Sequence, residues 1–128
     1  MTATLEHTNL TVSDPDATAA MLGEVFGWAV RWRGPALNGG LTVHVGSADS
    51  YVALYRPTGT PRPFDPAGSY TQVGGLNHLG ITVPDLDAVE KRVRAAGFTP
   101  VNHADYEPGR RFYFRDHDGI EFEVVSYT

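Results

Sequence analysis

The chain has 128 residues, which is enough for one compact domain with a hydrophobic core but too few for two independent ones. Its formal net charge is -5 and it has no run of Lys or Arg, so the sequence predicts no binding to nucleic acid or to an anionic membrane. The absence of cysteine excludes disulfides, thiolate metal sites and a cysteine nucleophile. No apolar run approaches the roughly 20 residues of a membrane helix, and the first residues lack signal-peptide anatomy, so a cytoplasmic protein is predicted.

An internal repeat is the first organising feature of the chain. Residues 7–14 resemble residues 78–85, with four of eight positions identical and a constant offset of 71 residues. Each copy ends in an aspartate suited to cap a helix, and apolar residues follow at helical spacing. Gly27 and Gly97 are the predicted ends of the two helices.

Three short strand-like runs follow each predicted helix, and glycine-containing turns separate them. These runs cover residues 29–33, 41–45 and 51–55 in the first copy, and about 100–104, 111–115 and 121–126 in the second. The sequence therefore predicts an α+β fold of two tandem βαβββ modules that form a cupped mixed sheet within a single domain, residues 1–128. The predicted modules are 1–56 and 76–128, joined by a linker rich in proline and glycine over 57–75.

Alternation along the first strand of each module predicts which side chains face the helix. Leu10 and Val12 point toward the helix, whereas His7 and Asn9 point the other way. The same parity places His78 on the face without a helix in the second module. A polar face of this kind indicates a cleft rather than a core.

Three side chains are predicted to bind one metal ion: His7, His78 and Glu123 on the last strand. Two imidazoles and one carboxylate suit a divalent Fe, Mn, Zn, Ni or Co ion and leave positions open for substrate or water. Such an ion acts as a Lewis acid toward bound oxygen atoms. Glu121 has the same strand parity and is the competing carboxylate, although the turn just before it favours Glu123.

Motifs around these residues resemble the vicinal oxygen chelate superfamily, which includes glyoxalase I, bleomycin-resistance proteins and extradiol dioxygenases. The motifs are LEHTNLTVSDP with the following VFGW, LNHLGITVPD with AAGF, and the ending FYFRDHDGIEFEVV, and they span nearly the whole chain. The resemblance places His7, His78 and Glu123 at three of the four metal-ligand positions of the family. The fourth position falls on Ala53, which cannot bind metal, and His117 stands where the last turn usually has proline.

This ligand set resembles that of fosfomycin-resistance enzymes and extradiol dioxygenases more than that of the four-ligand glyoxalases. The resemblance implies a metal-dependent enzyme acting on a small, metal-chelating, oxygen-rich substrate, as a dioxygenase or as a lyase or transferase. Asn9 stands where the fosfomycin-resistance enzymes usually have Thr. A general acid or base is expected among His44, His103 and Tyr113. The candidates for the substrate pocket are Asn9, Tyr51, Ala53, Tyr55 and Arg111.

The missing fourth ligand also favours an alternative function, a metal-free protein that sequesters a drug as bleomycin-resistance proteins do. A third hypothesis is an accessory homologue without a working site. Small chains of this superfamily commonly pair, so the resemblance implies a homodimer with sites shared between subunits, His7 coming from the partner chain. Stabilisation by a ligand that persists in the presence of a chelator would separate sequestration from metal-dependent chemistry.

Overall fold

The computed structural model describes residues 1–128, and the chain divides into two compact units, 1–62 and 63–128. The elements of the first unit are β1 (His7–Thr11), α1 (Pro15–Phe26), β2 (Ala29–Pro35), β3 (Leu41–Gly46) and β4 (Tyr51–Arg56). The elements of the second unit are β5 (Leu79–Thr82), α2 (Leu86–Ala95), β6 (Val101–Tyr106), β7 (Gly109–Arg115) and β8 (Glu121–Ser126). Short 3-10 helices lie at Leu37–Gly39 and Ser69–Thr71. None of the helices is long and apolar enough to span a membrane.

Each unit contains one four-stranded mixed sheet, and the two sheets have equivalent strand orders. The order is β1-β4-β3-β2 in the first unit and β5-β8-β7-β6 in the second. The pairs β1–β4 and β5–β8 are parallel, whereas all other neighbours are antiparallel. The predicted α+β fold of two tandem βαβββ modules is confirmed. The predicted single domain over 1–128 and the linker over 57–75 stay predictions.

Both helices begin at the aspartates that the sequence indicates as caps. Asp14 accepts hydrogen bonds from two backbone N–H groups in the first turn of α1, and Asp85 accepts one in the first turn of α2. Gly27 ends α1 with a φ of 74°, and Gly97 follows α2 with a φ of 96°. Glycine adopts this left-handed conformation without steric cost, so both predicted helix ends have a physical reason.

The alternation predicted for β1 agrees with the observed burial. Leu10 and Val12 are 7% and 1% exposed, and they lie on the face of the sheet that α1 covers. In β8, Phe122 and Val124 are 1% and 0% exposed. Glu123 lies between these two core residues, so its side chain projects from the opposite face of the sheet, which carries no helix of that unit.

Two irregularities change the side-chain parity of the outer strands. The pairing register slips in β2 between Val30 and Trp32, and in β6 between Val101 and Ala104. A bulge of this kind places an extra residue in one strand and turns the following side chains to the other face. The direction of a side chain in β2 or β6 therefore cannot be obtained by counting along the sequence.

The turn between β7 and β8 is held by one buried carboxyl group. The Oδ1 atom of Asp116 accepts hydrogen bonds from the backbone N–H groups of Asp118, at 2.9 Å, and Ile120, at 3.0 Å. Asp116 is 7% exposed, and this burial raises its pKa although the two backbone hydrogen bonds act in the opposite direction. The turn fixes the residue at which β8 begins and thereby fixes the face to which Glu123 points.

Candidate metal site

The strand register identifies equivalent positions in the two units. Glu123 on β8 lies beside Gly80 on β5, and Ala53 on β4 lies beside Asn9 on β1. Gly80 and Asn9 are themselves equivalent in the sequence repeat, so Ala53 occupies the position that Glu123 occupies in the second unit. Ala53 is 2% exposed and has no donor atom for a metal ion. The first unit therefore lacks the carboxylate that the second unit has.

The outer oxygen of Glu123 is held by two hydrogen bonds. Its Oε2 atom accepts one from the Tyr113 hydroxyl at 2.8 Å and one from Arg111 Nη1 at 3.0 Å. Burial raises the pKa of Glu123, but these two hydrogen bonds and the neighbouring positive charges outweigh it, and the net pKa is lowered. The carboxylate is thus fixed in orientation and kept ionised at neutral pH.

Tyr113 acts here as a hydrogen-bond donor. Burial, followed by the hydrogen bond and the negative charge of Glu123, raises the pKa of Tyr113 to about 12. The phenol therefore keeps its proton at neutral pH and donates it to the carboxylate. The pKa of Arg111 is also raised, first by its hydrogen bond to Glu123, and its guanidinium lies 4.8 Å from the centroid of the Tyr106 ring.

The inner oxygen of the same carboxylate faces a histidine. The Oε1 atom of Glu123 lies 3.5 Å from Nε2 of His78. A Cβ atom at Gly80 would lie 3.8 Å from Oε1, so the glycine leaves that side of the carboxylate open. The side chains of His78 and Glu123 are 32% and 15% exposed, which leaves an approach from solvent.

The other nitrogen of His78 has its own partners. Nδ1 lies 3.2 Å from the Tyr70 hydroxyl and 3.5 Å from Oε2 of Glu121. The Tyr70 hydroxyl donates a hydrogen bond to the same Glu121 oxygen at 2.7 Å. This hydrogen bond, followed by burial, raises the pKa of Tyr70. Glu121, the competing carboxylate of the sequence, therefore contacts the side of His78 that faces away from Glu123.

This geometry fits two ligands of one divalent ion. Nitrogen and oxygen ligands about 2.1 Å from an ion, at tetrahedral or octahedral angles, lie roughly 3.0–3.4 Å apart. The observed separation of His78 Nε2 and Glu123 Oε1 is 3.5 Å. Hydrogen bonds between neighbouring residues and the outer atoms of both ligands are also a usual feature of metal sites. No group of three or more His, Asp or Glu side chains is arranged to hold a metal ion, so the three-ligand set with His7 stays a prediction.

In the first unit, His7 belongs to a cluster of stacked rings. Its Nδ1 lies 2.9 Å from Glu6 Oε1, and its ring stacks on Tyr51 with a centroid distance of 4.9 Å. The ring of His44 also stacks on Tyr51, at 4.6 Å, and lies 5.2 Å from Trp32. Burial, followed by the positive charges of His7 and Arg31, lowers the pKa of His44. His44 is therefore neutral at neutral pH.

The remaining sequence candidates are separated from this arrangement by position or direction. Asn9, Ala53 and Tyr55 lie on the strands of the first unit. His103 lies on β6, where its Nε2 is 3.1 Å from Glu90 of α2 and its ring stacks on Phe112. The structure thus places Tyr113 and Arg111 around Glu123, but directs His103 toward the helix.

Tyr70 is the one residue around His78 that the sequence did not indicate. It lies in the short 3-10 helix Ser69–Thr71, within the segment interpreted as a linker. The only signal in the sequence was an aromatic residue eight positions before a predicted ligand. The segment around it has no strand or helix periodicity, so the direction of its side chain could not be predicted. Its contact with Glu121 joins residues 51 positions apart in the chain.

Two βαβββ units in tandem define a class of protein, and comparison with known proteins identifies the family. The chain belongs to the Glyoxalase/Bleomycin resistance protein/Dioxygenase superfamily, whose model matches residues 4–124. The resemblance seen in the sequence motifs is therefore confirmed. No curated protein matches the chain in sequence.

Several solved structures share the fold. A glyoxylase/bleomycin resistance protein/dioxygenase domain from Frankia sp. EAN1pec is 26% identical, with a TM-score of 0.82, covering 100% of this chain and 94% of its own. TioX from Micromonospora sp. ML1 is 26% identical, with a TM-score of 0.69 and coverages of 98% and 100%. The fosfomycin resistance protein FosX from Listeria monocytogenes, complexed with Mn(II) and a sulfate ion, is 20% identical, with a TM-score of 0.72 and coverages of 100% and 95%. At 20% identity the likeness to FosX shows the fold alone.

Proposed function

We propose that the protein is a metal-dependent enzyme whose second unit binds a divalent ion through Nε2 of His78 and Oε1 of Glu123. The observation that carries this proposal is the pairing of these two atoms at 3.5 Å while the outer atoms of both side chains are held by other residues. An unprotonated Nε2 and a carboxylate oxygen that face each other at this distance are stabilised by a cation between them. The structure of FosX with Mn(II) on the same fold supports Mn(II) as the first ion to test.

The residues around the ion would hold and orient it. Tyr113 and Arg111 fix the Glu123 carboxylate, and the raised pKa of Tyr113 makes it a donor to Glu123 rather than a base. A divalent ion in such a site supplies Lewis-acid polarisation of a bound substrate oxygen. The substrate class is therefore a small molecule with oxygen atoms that can chelate a metal, and the reaction is that of a dioxygenase or of a lyase or transferase.

The sequence repeat supplies a candidate for the third ligand. His7 is equivalent to His78 in the repeat. Its contact with Glu6 uses Nδ1, so Nε2 takes no part in that contact. We propose that a homodimer forms and that His7 of the partner subunit completes the ligand set. Ala53, which replaces the fourth ligand of the family, leaves a coordination position for substrate or water.

Metal binding by the purified protein tests this proposal. After removal of metal with a chelator, titration with Mn(II) is expected to show one ion bound per chain. His78→Ala is expected to abolish that binding, because it removes one of the two proposed ligands. His117→Ala, which removes a histidine beside Asp118 in the β7–β8 turn, is the matched control and is expected to bind as the wild type does. Absent binding by the wild type, or equal binding by His78→Ala, would contradict the proposal.

The ring cluster of the first unit favours one alternative, binding of a planar drug without metal. The Tyr51 ring stacks on the rings of His7 and His44, and Trp32, which is 49% exposed, lies beside His44. Aromatic faces of this kind stack on planar ligands. Thermal stabilisation by such a drug that is unchanged by a chelator and by His78→Ala would favour sequestration over metal-dependent catalysis.

A further inference from the structure

We infer that Glu121, acting through the Tyr70 hydroxyl, determines which ring nitrogen of His78 carries its proton and leaves Nε2 as a free acceptor. This inference deepens the proposed function, because the free Nε2 is the atom that would bind the metal. The position of the proton is nevertheless a property of the metal-free protein, and it can be measured whether or not a metal binds.

The first step concerns the single proton of the Tyr70 hydroxyl. The hydroxyl lies 2.7 Å from Oε2 of Glu121, a short hydrogen bond to a carboxylate, which has no proton to give in return. The proton of Tyr70 is therefore directed at Glu121. Its oxygen then faces His78 Nδ1, at 3.2 Å, with a lone pair.

The second step concerns the nitrogen that faces this lone pair. Both neighbours of Nδ1, the Tyr70 oxygen and the Glu121 oxygen, are acceptors, so Nδ1 must be the donor. A neutral imidazole has only one N–H group, and Nε2 is then unprotonated. The competing arrangement, an Nε2–H donating to Glu123 Oε1 at 3.5 Å, lies at the outer limit of a hydrogen bond and would leave Nδ1 facing two acceptors.

The third step concerns what holds Glu121 in place. Its side chain is 13% exposed, so water competes little for its oxygens, and Nη2 of Arg115 lies 3.8 Å from its Oε1. One oxygen is therefore oriented toward Arg115 and the other toward Tyr70. Glu121 is a positioning residue that acts on His78, whereas Glu123 contacts the proposed ion directly.

Long-range proton–nitrogen NMR of the metal-free protein tests this inference, at a pH well above the ordinary imidazole range. The wild type is expected to show His78 protonated on Nδ1. Glu121→Met, which fills similar space without a carboxylate, releases the Tyr70 proton to face Nδ1, and His78 is expected to become protonated on Nε2. Tyr70→Phe is expected to lose the preference for Nδ1, because Oε2 of Glu121 and Oε1 of Glu123 then each lie 3.5 Å from one ring nitrogen.

The matched control is Glu24→Met, which removes an exposed carboxylate on α1 and is expected to leave the His78 signals unchanged. If Glu121→Met does not fold, Glu121→Ala removes the same oxygens. Protonation on Nε2 in the wild type, or on Nδ1 in a folded Glu121 variant, would overturn the inference.

Titration of the same variants with Mn(II) separates this inference from the proposed function. Glu121→Met is expected to bind Mn(II) about 10–100-fold more weakly than the wild type, the usual effect of losing an outer partner of a ligating histidine. The wild type can carry the His78 proton on Nδ1, and Glu121→Met can carry it on Nε2, while the wild type binds no Mn(II). In that case the proposed function fails and the assignment of the proton stands. If Mn(II) binds and Glu121→Met changes neither the proton nor the affinity, this inference fails and the proposed function stands.

Discussion

Replacement of Glu123 with glutamine is expected to eliminate Mn(II) binding while the second unit remains folded. Two donors, Tyr113 and Arg111, converge on the position of Oε2, so the amide oxygen of glutamine must occupy it. The amide nitrogen then takes the position of Oε1, 3.5 Å from His78 Nε2. The amide N–H group thus replaces Oε1, the proposed ligand oxygen. It also donates toward Nε2 of His78, the other proposed ligand atom. The affinity is therefore expected to fall by more than about 100-fold, beyond the effect of losing an outer partner.

Calorimetric titration with Mn(II), together with a thermal melt in the absence of metal, measures both parts of this prediction. Glu24→Gln makes the same chemical change at an exposed position of α1 and serves as the control. Equal Mn(II) affinity of Glu123→Gln and the wild type would show that this carboxylate is not a ligand. An unfolded Glu123→Gln variant would show that the carboxylate charge itself is needed for the packing around Arg111.

Truncation of Phe122 to alanine is expected to reduce the free energy of unfolding by about 3–5 kcal/mol, the usual cost of removing a buried aromatic ring. Phe122 is 1% exposed, and its ring stacks on that of Phe114 with a centroid distance of 5.1 Å. It also precedes Glu123 on β8 and faces the core. The same truncation is therefore expected to loosen the strand that carries the proposed ligand. Mn(II) binding is expected to weaken even under conditions in which the variant is still folded.

Urea denaturation followed by circular dichroism measures the stability change. Phe64→Ala, which removes a ring that is 39% exposed in the same unit, is the matched control and is expected to change the stability by less than about 0.5 kcal/mol. Similar losses in the two variants would contradict the assignment of Phe122 to the core of the second unit.

Much of the fold could be predicted because local rules and the repeat agree. Helix capping by Asp14, the left-handed Gly27 and the alternation of Leu10 with its neighbours are all local properties of the chain, and the structure has each of them. The repeat then transfers each assignment to the second unit. The equivalence of Ala53 and Glu123, predicted by counting, is supported by the strand register.

The candidate site could be predicted only in part, because its outer contacts depend on tertiary structure. Tyr70 approaches His78 from a segment rich in proline and glycine, where no periodicity predicts a direction. His103 lies within the bulge of β6, and its side chain contacts Glu90 rather than the open face of the sheet. Parity allowed both Glu121 and Glu123 as ligands. Their hydrogen-bond partners distinguish them, since one contacts Nδ1 of His78 and the other faces Nε2.

The central claim, that His78 and Glu123 together hold a divalent ion, is tested most directly by a crystal structure of the protein grown with Mn(II), using anomalous scattering to locate the ion. The account predicts one anomalous peak in the second unit, at bonding distance, roughly 2.1 Å, from both His78 Nε2 and Glu123 Oε1. A fully occupied peak elsewhere, or no peak between these two atoms at a saturating Mn(II) concentration, would contradict it.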